Sequence, residues 1–354
     1  MIRFIHLADV HLGAVPDRGC PWSHEREEEI WETFRRVIAS VRRDPVDFLF
    51  IAGDLFHRQP LLRELKEVNY LFSTIPETRV FLMAGNHDYL KQDSFYKGFS
   101  WEPNVVFFEQ EMRSCVEIPE KNTFVYGMSY RHQEIREPLY DTWKPEDRPG
   151  FHVLLAHGGD EKHIPIDAKR LTAAGFTYLA LGHIHKPQAV IRGKALYPGA
   201  LEPVDRNDTG EHGYILGSCE NGRMRLKFVP FAQRSYQNLL LTMQEDTTQY
   251  RLEEMLKNEI MERGFKNIYR LILRGQRAPE LLLLTERLKK LGNIVEILDE
   301  SRPAYDLQEL HRKYTGTLTG DFVEYFMGRE LSVVEEKALY HGLQALLETS
   351  ILNQ

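Results

Sequence analysis

Three near-continuous apolar runs stand out in the first quarter of the chain: Phe4-Ile5-His6-Leu7-Ala8, Phe48-Leu49-Phe50-Ile51-Ala52 and Val80-Phe81-Leu82-Met83-Ala84. Each has the length of a strand buried on both faces and is too short for a buried helix. Between them the period changes. Over 24–43, Ile30, Phe34, Val37, Ile38 and Val41 recur at helical spacing. Glu25, Glu27, Glu28 and Glu29 crowd the first turns and Arg42 and Arg43 the last, as the helix dipole favours, and Pro45 ends the element. A second helix is predicted over 61–75, with Leu62, Leu65, Val68, Leu71 and Phe72 on one face. This β-α-β-α-β order predicts parallel strands joined by crossover helices.

The pattern then loosens. Short strand-like runs at 105–108, 114–118 and 124–128 lack long helices between them and predict antiparallel pairing or a second sheet. After a loop over 134–150 come a strand at 151–156, a short helix over 167–174 ending at Gly175, and a strand at 177–181. Strands near 213–217 and 224–230 close a first domain, 1–231. Residues 237–299 read as a small α+β capping domain, with strands at 238–243, 268–274 and 294–298. Its helices are predicted over 247–263, with Gly264 as C-cap, and from Pro279 to Gly292. Residues 303–354 read as a helical C-terminal segment with the apolar set Leu331, Val334, Ala338, Leu339, Leu343, Leu346 and Leu347.

Where the strands of the first domain stop, the chain turns polar. Asp9-Val10-His11, Gly53-Asp54, Gly85-Asn86-His87-Asp88, His157-Gly158-Gly159-Asp160 and Gly182-His183-Ile184-His185 each follow an apolar run. In open α/β sheets this carboxyl edge is where ligands bind, and Gly85 is expected to permit a sharp turn there. Asp9 and His11 lie two apart, as do His183 and His185, so in extended chain each pair faces one side. Imidazole, carboxylate and amide donors without thiolate suit Mn, Fe, Mg or Zn in a catalytic site better than a closed structural zinc. Asp9, His11, Asp54, Asn86, His157, His183 and His185 over-supply a single ion. Two divalent ions sharing the Asp54 carboxylate fit the count, and ion pairs about 3.5–4 Å apart are a usual device for phosphoester displacement.

Composition narrows the setting. At 354 residues two or three domains are expected. A net charge of −7 excludes a generically basic nucleic-acid binder, so any contact with nucleic acid rests on local patches and bound cations. Cys20, Cys115 and Cys219 form no paired pattern, which points to a reducing, cytoplasmic setting. Arg3, His6 and Asp9 do not read as a signal peptide, and no apolar run approaches the roughly 20 residues of a membrane span.

The five motifs, in this order, resemble the calcineurin-like metallophosphoesterase superfamily. Asp54-Leu55-Phe56-His57-Arg58-Gln59-Pro60 and Leu196-Tyr197-Pro198-Gly199-Ala200-Leu201-Glu202 are similar to the SbcD-like DNA-repair exonuclease branch, its YhaO-type bacterial members included; the likeness covers about 1–230. The resemblance implies a β-sandwich flanked by helices. It implies two ions, manganese first among them, one held by Asp9, His11, Asp54 and His185 and the other by Asp54, Asn86, His157 and His183. It further implies that His87 stabilises or protonates the leaving oxygen, that Asp88 orients His87 through a ring nitrogen, and that His57 approaches the scissile phosphate. DNA as substrate, an SbcC-like coiled-coil ATPase docked on the C-terminal segment, and a homodimer formed through the early helices follow from the same likeness. The segment 203–210 is polar and longer than the branch pattern. Two further readings stay open: a small-molecule phosphodiesterase or phosphatase of the same superfamily, and a weakly catalytic scaffold for an SMC-like ATPase. His6, His24, His132, His152 and His163 read as structural.

Overall fold

The computed structural model describes residues 1–352, in two compact units, Met1–Tyr236 and a second beginning at Gln237. In the first unit β1 (Ile2–Leu7), α1 (Ser23–Arg43), β2 (Phe48–Ala52), α2 (Leu62–Ser73) and β3 (Arg79–Met83) follow one another, with β1, β2 and β3 paired in parallel. Next come β4 (Val105–Phe107), β5 (Ser114–Ile118), β6 (Thr123–Gly127), β7 (Phe151–His157), α3 (Ala168–Ala173) and β8 (Tyr178–Gly182). The unit's last strands are β9 (Gln188–Ile191), β10 (Ala195–Tyr197), β11 (Gly213–Glu220) and β12 (Arg223–Pro230). They form two six-stranded mixed sheets, ordered β12-β11-β1-β2-β3-β4 and β5-β6-β7-β8-β10-β9.

Strand alternation explains why the central runs are apolar at nearly every position. In the first sheet Phe4, Phe48, Phe50, Phe81 and Met83 face the second sheet, where Val125, Phe151, Val153, Leu155, Tyr178 and Ala180 meet them. The intervening Ile5, Leu7, Leu49, Ile51, Val80 and Leu82 pack on the opposite face against Ile30, Phe34, Val37, Ile38 and Val41 of α1 and Leu65, Val68 and Phe72 of α2. The second sheet's outer face is covered by Ile164, Ala168, Leu171 and Phe176. With both faces of these central strands buried, period-2 polarity has nowhere to appear. The inter-sheet rings are tightly clustered: Phe4 lies 5.4 Å from Phe50 and 5.0 Å from Tyr178. Truncating such a ring to alanine typically costs about 3–5 kcal/mol. The buried His6 sits on this face, donating from Nε2 to the Leu181 carbonyl (3.2 Å) and accepting at Nδ1 from the Tyr178 hydroxyl (2.9 Å).

The short runs after β3 divide between the sheets. β4 extends the first sheet in parallel, whereas β5 and β6 pair antiparallel at the edge of the second. β11 and β12 form a hairpin whose turn residues Asn221 (φ 50°) and Gly222 (φ 74°) both adopt left-handed backbone, as a two-residue hairpin turn of the primed type requires. The aromatics Tyr96, Trp101 and Phe107 pack on one another, the Tyr96 and Phe107 rings stacked at 4.9 Å, so they serve the core.

The second unit contains β13 (Tyr236–Met243), whose first residue closes the first unit, then α4 (Gln249–Arg263), β14 (Ile268–Arg277), α5 (Thr285–Lys289), β15 (Ile294–Asp299) and β16 (Arg302–Pro303). Leu252, Leu256 and Ile260 of α4 cover the sheet at Leu239, Leu241, Tyr269, Leu271 and Leu273. The helix predicted from Pro279 to Gly292 shrinks to the five residues of α5. Leu281 and Leu283 pack against the core while Leu282 and Leu284 are exposed, an extended alternation that four consecutive leucines conceal in the sequence. Three helices follow, α6 (Leu307–Lys313), α7 (Leu318–Phe326) and α8 (Val333–Leu352). Leu339 and Leu343 of α8 pack on Val323 and Phe326, whereas Val334 is exposed. Positions 353 and 354 of the predicted helical segment lie outside the described residues. Among the described residues no helix is long and apolar enough to cross a membrane.

Candidate metal centre

The carboxyl ends of β1, β2, β3, β7 and β8 bring all the polar motifs to one place. The loops after β1 and β2 run side by side: His11 N–H donates to the Asp54 carbonyl (3.0 Å), Leu12 N–H to Leu55 (2.9 Å) and His57 N–H to Leu12 (3.0 Å). Asp9 (φ 50°), His11 (φ 52°), Asp54 (φ 49°) and His183 (φ 99°) all hold left-handed backbone. Non-glycine residues rarely adopt it, and strain of this kind clusters at functional sites. Two glycines make room. A Cβ on Gly53 would fall 2.3 Å from His157 Nδ1, and one on Gly85 would fall 2.3 Å from Asp54 Oδ1. Gly85 does not have a left-handed φ, so close approach, rather than the expected turn, is what requires glycine there.

Hydrogen bonds to acceptor-only groups assign a proton to one nitrogen of His157, His183 and His185. His157 Nδ1 donates to the Ala52 carbonyl (2.9 Å), leaving its Nε2 lone pair 2.9 Å from Asn86 Oδ1. His183 Nε2 donates to Asp160 (2.8 Å), leaving Nδ1 3.1 Å from the same Asn86 oxygen. His185 Nδ1 donates to Asp208 (3.0 Å), leaving Nε2 3.0 Å from His11 Nε2. Asp9 accepts the His183 N–H on both oxygens. Asp54 uses Oδ1 to accept the His87 N–H (2.9 Å). Its Oδ2 faces both groups, 3.4 Å from His157 Nε2 and 4.0 Å from His11 Nε2, so Asp54 would be the residue that two ions share.

His11 and His185 Nε2 stand 3.0 Å apart, and Asn86 Oδ1 stands 2.9 Å from His157 Nε2 and 3.1 Å from His183 Nδ1. Ligand atoms at right angles and about 2.1 Å from an ion stand about 3.0 Å apart. The ligand atoms of Asp9, His11 and His185 all lie within 4.8 Å of one another, as do those of Asp9, Asp54 and His157. Burial pushes the Asp9 carboxyl up to about 6. Burial would raise Asp54 as well, but His157 beside it more than reverses this and holds it well below the carboxylate range. Without an ion His157 and His185 are pushed up to about 9: burial works against their charge, and Asp54 beside the first and Asp208 beside the second overcome it, so a bound cation would displace a proton from each Nε2. Asp9 and Asp54 place carboxylate charge among the imidazoles and Asp160 and Asp208 place it behind them, and the residues present fit divalent ions.

His57 and His87 lie at the margin, their rings stacked at 5.1 Å. His57 Nδ1 is 3.3 Å from His11 Nδ1. Asp88 does not orient His87 as the resemblance implies. His87 Nδ1 donates to the His57 carbonyl (3.1 Å), while Asp88 is fully buried and accepts from Gly85 N–H (2.8 Å), Phe56 N–H (3.2 Å) and the Tyr96 hydroxyl (2.8 Å). Neighbours in sequence, the two side chains leave the turn in different directions. Asp160 and Asp208 were not singled out from the sequence. Asp160 stands in the quoted His157-Gly158-Gly159-Asp160, and Asp208 in the polar segment that departs from the branch pattern. Tyr130 adds support, donating to the His157 carbonyl (2.8 Å).

The sequence profile of calcineurin-like phosphoesterases matches residues 2–187, and the chain belongs to that family of metal-dependent hydrolases. Among curated proteins it is similar to an uncharacterized metallophosphoesterase, YhaO of Bacillus subtilis, at 28% identity over 80% of this chain and 74% of that protein. It is also similar to the DNA double-strand break repair proteins Mre11 of Methanocaldococcus jannaschii, at 26% identity over 58% of each chain, and of Archaeoglobus fulgidus, at 30% identity over 59% of this chain and 52% of that one. The chain thus spans only about half to three-fifths of these archaeal relatives.

Proposed function

We propose that this chain is a two-metal phosphodiesterase that acts on DNA ends in repair, with manganese as its working ion. The observation that carries the chemistry is the convergence of Asp9, His11, Asp54, Asn86, His157, His183 and His185 with their lone pairs directed inward and His87 beside them. In this reading Asp9, His11, Asp54 and His185 hold one ion and Asp54, Asn86, His157 and His183 the other. Two divalent ions supply the Lewis acidity and charge screening of phosphoester displacement. The chain's own residues do the rest. Asp54, held by the His87 N–H, fixes the separation of the two halves. His87, with Nδ1 committed to the His57 carbonyl, keeps Nε2 to hold or donate a proton at the leaving oxygen. His57 stacks on His87 and borders the place where a scissile phosphate would lie.

The relatives named for double-strand break repair support DNA as substrate. By the same reading the chain is cytoplasmic, the helical C-terminal segment docks an SbcC-like ATPase, and the chain pairs as a homodimer through α2, which leaves Leu62 and Tyr70 exposed. The net charge of −7 favours one rival, a small phosphodiester as substrate. The test is a manganese-dependent assay on end-labelled single- and double-stranded DNA beside a chromogenic phosphodiester, with His87→Ala as control. DNA shortening that disappears in His87→Ala supports the proposal. Hydrolysis of the small ester alone, with or without an added ATPase partner, overturns the DNA assignment.

A further inference from the structure

His183 and His185 lie two residues apart and yet serve two different ligand groups. His183 meets Asn86 and His157, whereas His185 meets His11. They do so through different ring atoms, Nδ1 in His183 and Nε2 in His185. An imidazole offers either nitrogen, and which one is left free depends on what the other donates to. We propose that Asp160 and Asp208 are positioning residues that divide this histidine pair between the two ions, Asp160 by taking the Nε2 proton of His183 and Asp208 by taking the Nδ1 proton of His185. The inference rests on the two-ion reading above and assigns what makes its two halves separate.

Each carboxylate is held by its own loop before it reaches its histidine. Asp160 accepts from Lys162 N–H (2.7 Å), His163 N–H (2.8 Å) and His163 Nδ1 (3.0 Å). This loop is pinned at both ends: Gly159 N–H donates to the carbonyls of His163 and Ile164, and Ile135 and His163 bridge in parallel, with Ile164 N–H donating to the Ile135 carbonyl. Ile164 has φ 37°, a conformation that a β-branched residue adopts only when its surroundings impose it. The His163 ring, 4.4 Å from that of His183, closes the arrangement on the other side. Asp208 accepts from Val204 N–H (3.1 Å) and Asp205 N–H (3.0 Å) on the same oxygen that meets His185. The polar segment 203–210 therefore has a task, presenting this oxygen. Asp208 is the more enclosed of the two carboxylates, with a side chain 11% exposed against 45% for Asp160, so its contact is less screened by solvent.

Removing a carboxylate behind a metal-binding histidine typically costs about 10- to 100-fold in metal affinity. The experiment titrates manganese into the metal-free full chain by calorimetry for Asp160→Ala, Asp208→Ala, their asparagine counterparts and Asp54→Asn. Each alanine variant is expected to weaken one binding event by about 10- to 100-fold and leave the other near wild type, with asparagine, which keeps an acceptor oxygen, falling between. The larger loss is expected in Asp208→Ala. Long-range ¹⁵N histidine spectra of the metal-free protein give a second readout: one ring should lose its fixed tautomer in each alanine variant. Two unaltered binding events, or equal loss at both, would overturn the division. If Asp54→Asn also leaves both events unaltered, the two-ion reading itself falls, and the two failures are told apart.

Discussion

Asp88→Asn separates two accounts of one buried carboxylate. In the structure Oδ2 of Asp88 accepts from Phe56 N–H and the Tyr96 hydroxyl, and Oδ1 from Gly85 N–H. An asparagine has one oxygen. Its best orientation keeps that oxygen on the two-donor side and turns the amide NH₂ toward Gly85 N–H, leaving that donor unsatisfied in a fully buried place. Such a loss costs about 1–3 kcal/mol. At a central value of about 2 kcal/mol, the unfolding midpoint of a domain this size falls by about 4–8 °C. All four tryptophans, Trp22, Trp31, Trp101 and Trp143, lie in the first unit, so thermal unfolding followed by tryptophan fluorescence reads that unit alone. The melt is run in chelator, so that altered metal affinity does not enter the midpoint. Activity should fall along with stability, because the Gly85 turn carries Asn86 and His87. A midpoint within 1 °C of wild type with activity lost would refute this reasoning and restore Asp88 as the residue that orients His87.

Other expectations follow from the same packing. Gly85→Ala places a methyl 2.3 Å from Asp54 Oδ1 and 2.7 Å from Asp54 N, so the carboxylate must move. Overpacking of this kind costs about 1–3 kcal/mol, and a manganese titration should show weaker binding; wild-type affinity would contradict the close-approach argument. His6, pushed down to about 3 by burial, stays neutral in the fold but takes up a proton near 6.5 when unfolded. The unfolded chain binds more protons between these values, so stability is full above about 6.5 and declines as pH falls, by up to about 1.4 kcal/mol per pH unit. Between pH 6.5 and 5, His6→Gln should therefore lose about 1.6 kcal/mol less than wild type in urea melts; parallel losses would show that His6 does not carry the effect.

What could be read from the sequence follows from how local each feature is. The strands β1, β2 and β3 announce themselves because both faces are buried, and the ligands because each stands within a few residues of a strand end. Asp160 and Asp208 escaped because each lies 23 residues from the histidine it meets, and only the folded sheet edge joins them. Asp88 misled for the opposite reason: adjacency to His87 suggested a contact, whereas its partners Phe56 and Tyr96 lie 32 and 8 residues away. The helix predicted from Pro279 failed because Leu281-Leu282-Leu283-Leu284 carries no period by which extended and helical chain can be told apart.

The claim on which the account rests is that two divalent ions are held beside a histidine that does not bind them. Its most direct test is the manganese content of wild type and His87→Ala, by calorimetry with elemental analysis, read against phosphodiester turnover. The account predicts two ions per chain in both proteins and turnover in wild type alone. A single ion in wild type, or loss of metal in His87→Ala, would contradict it.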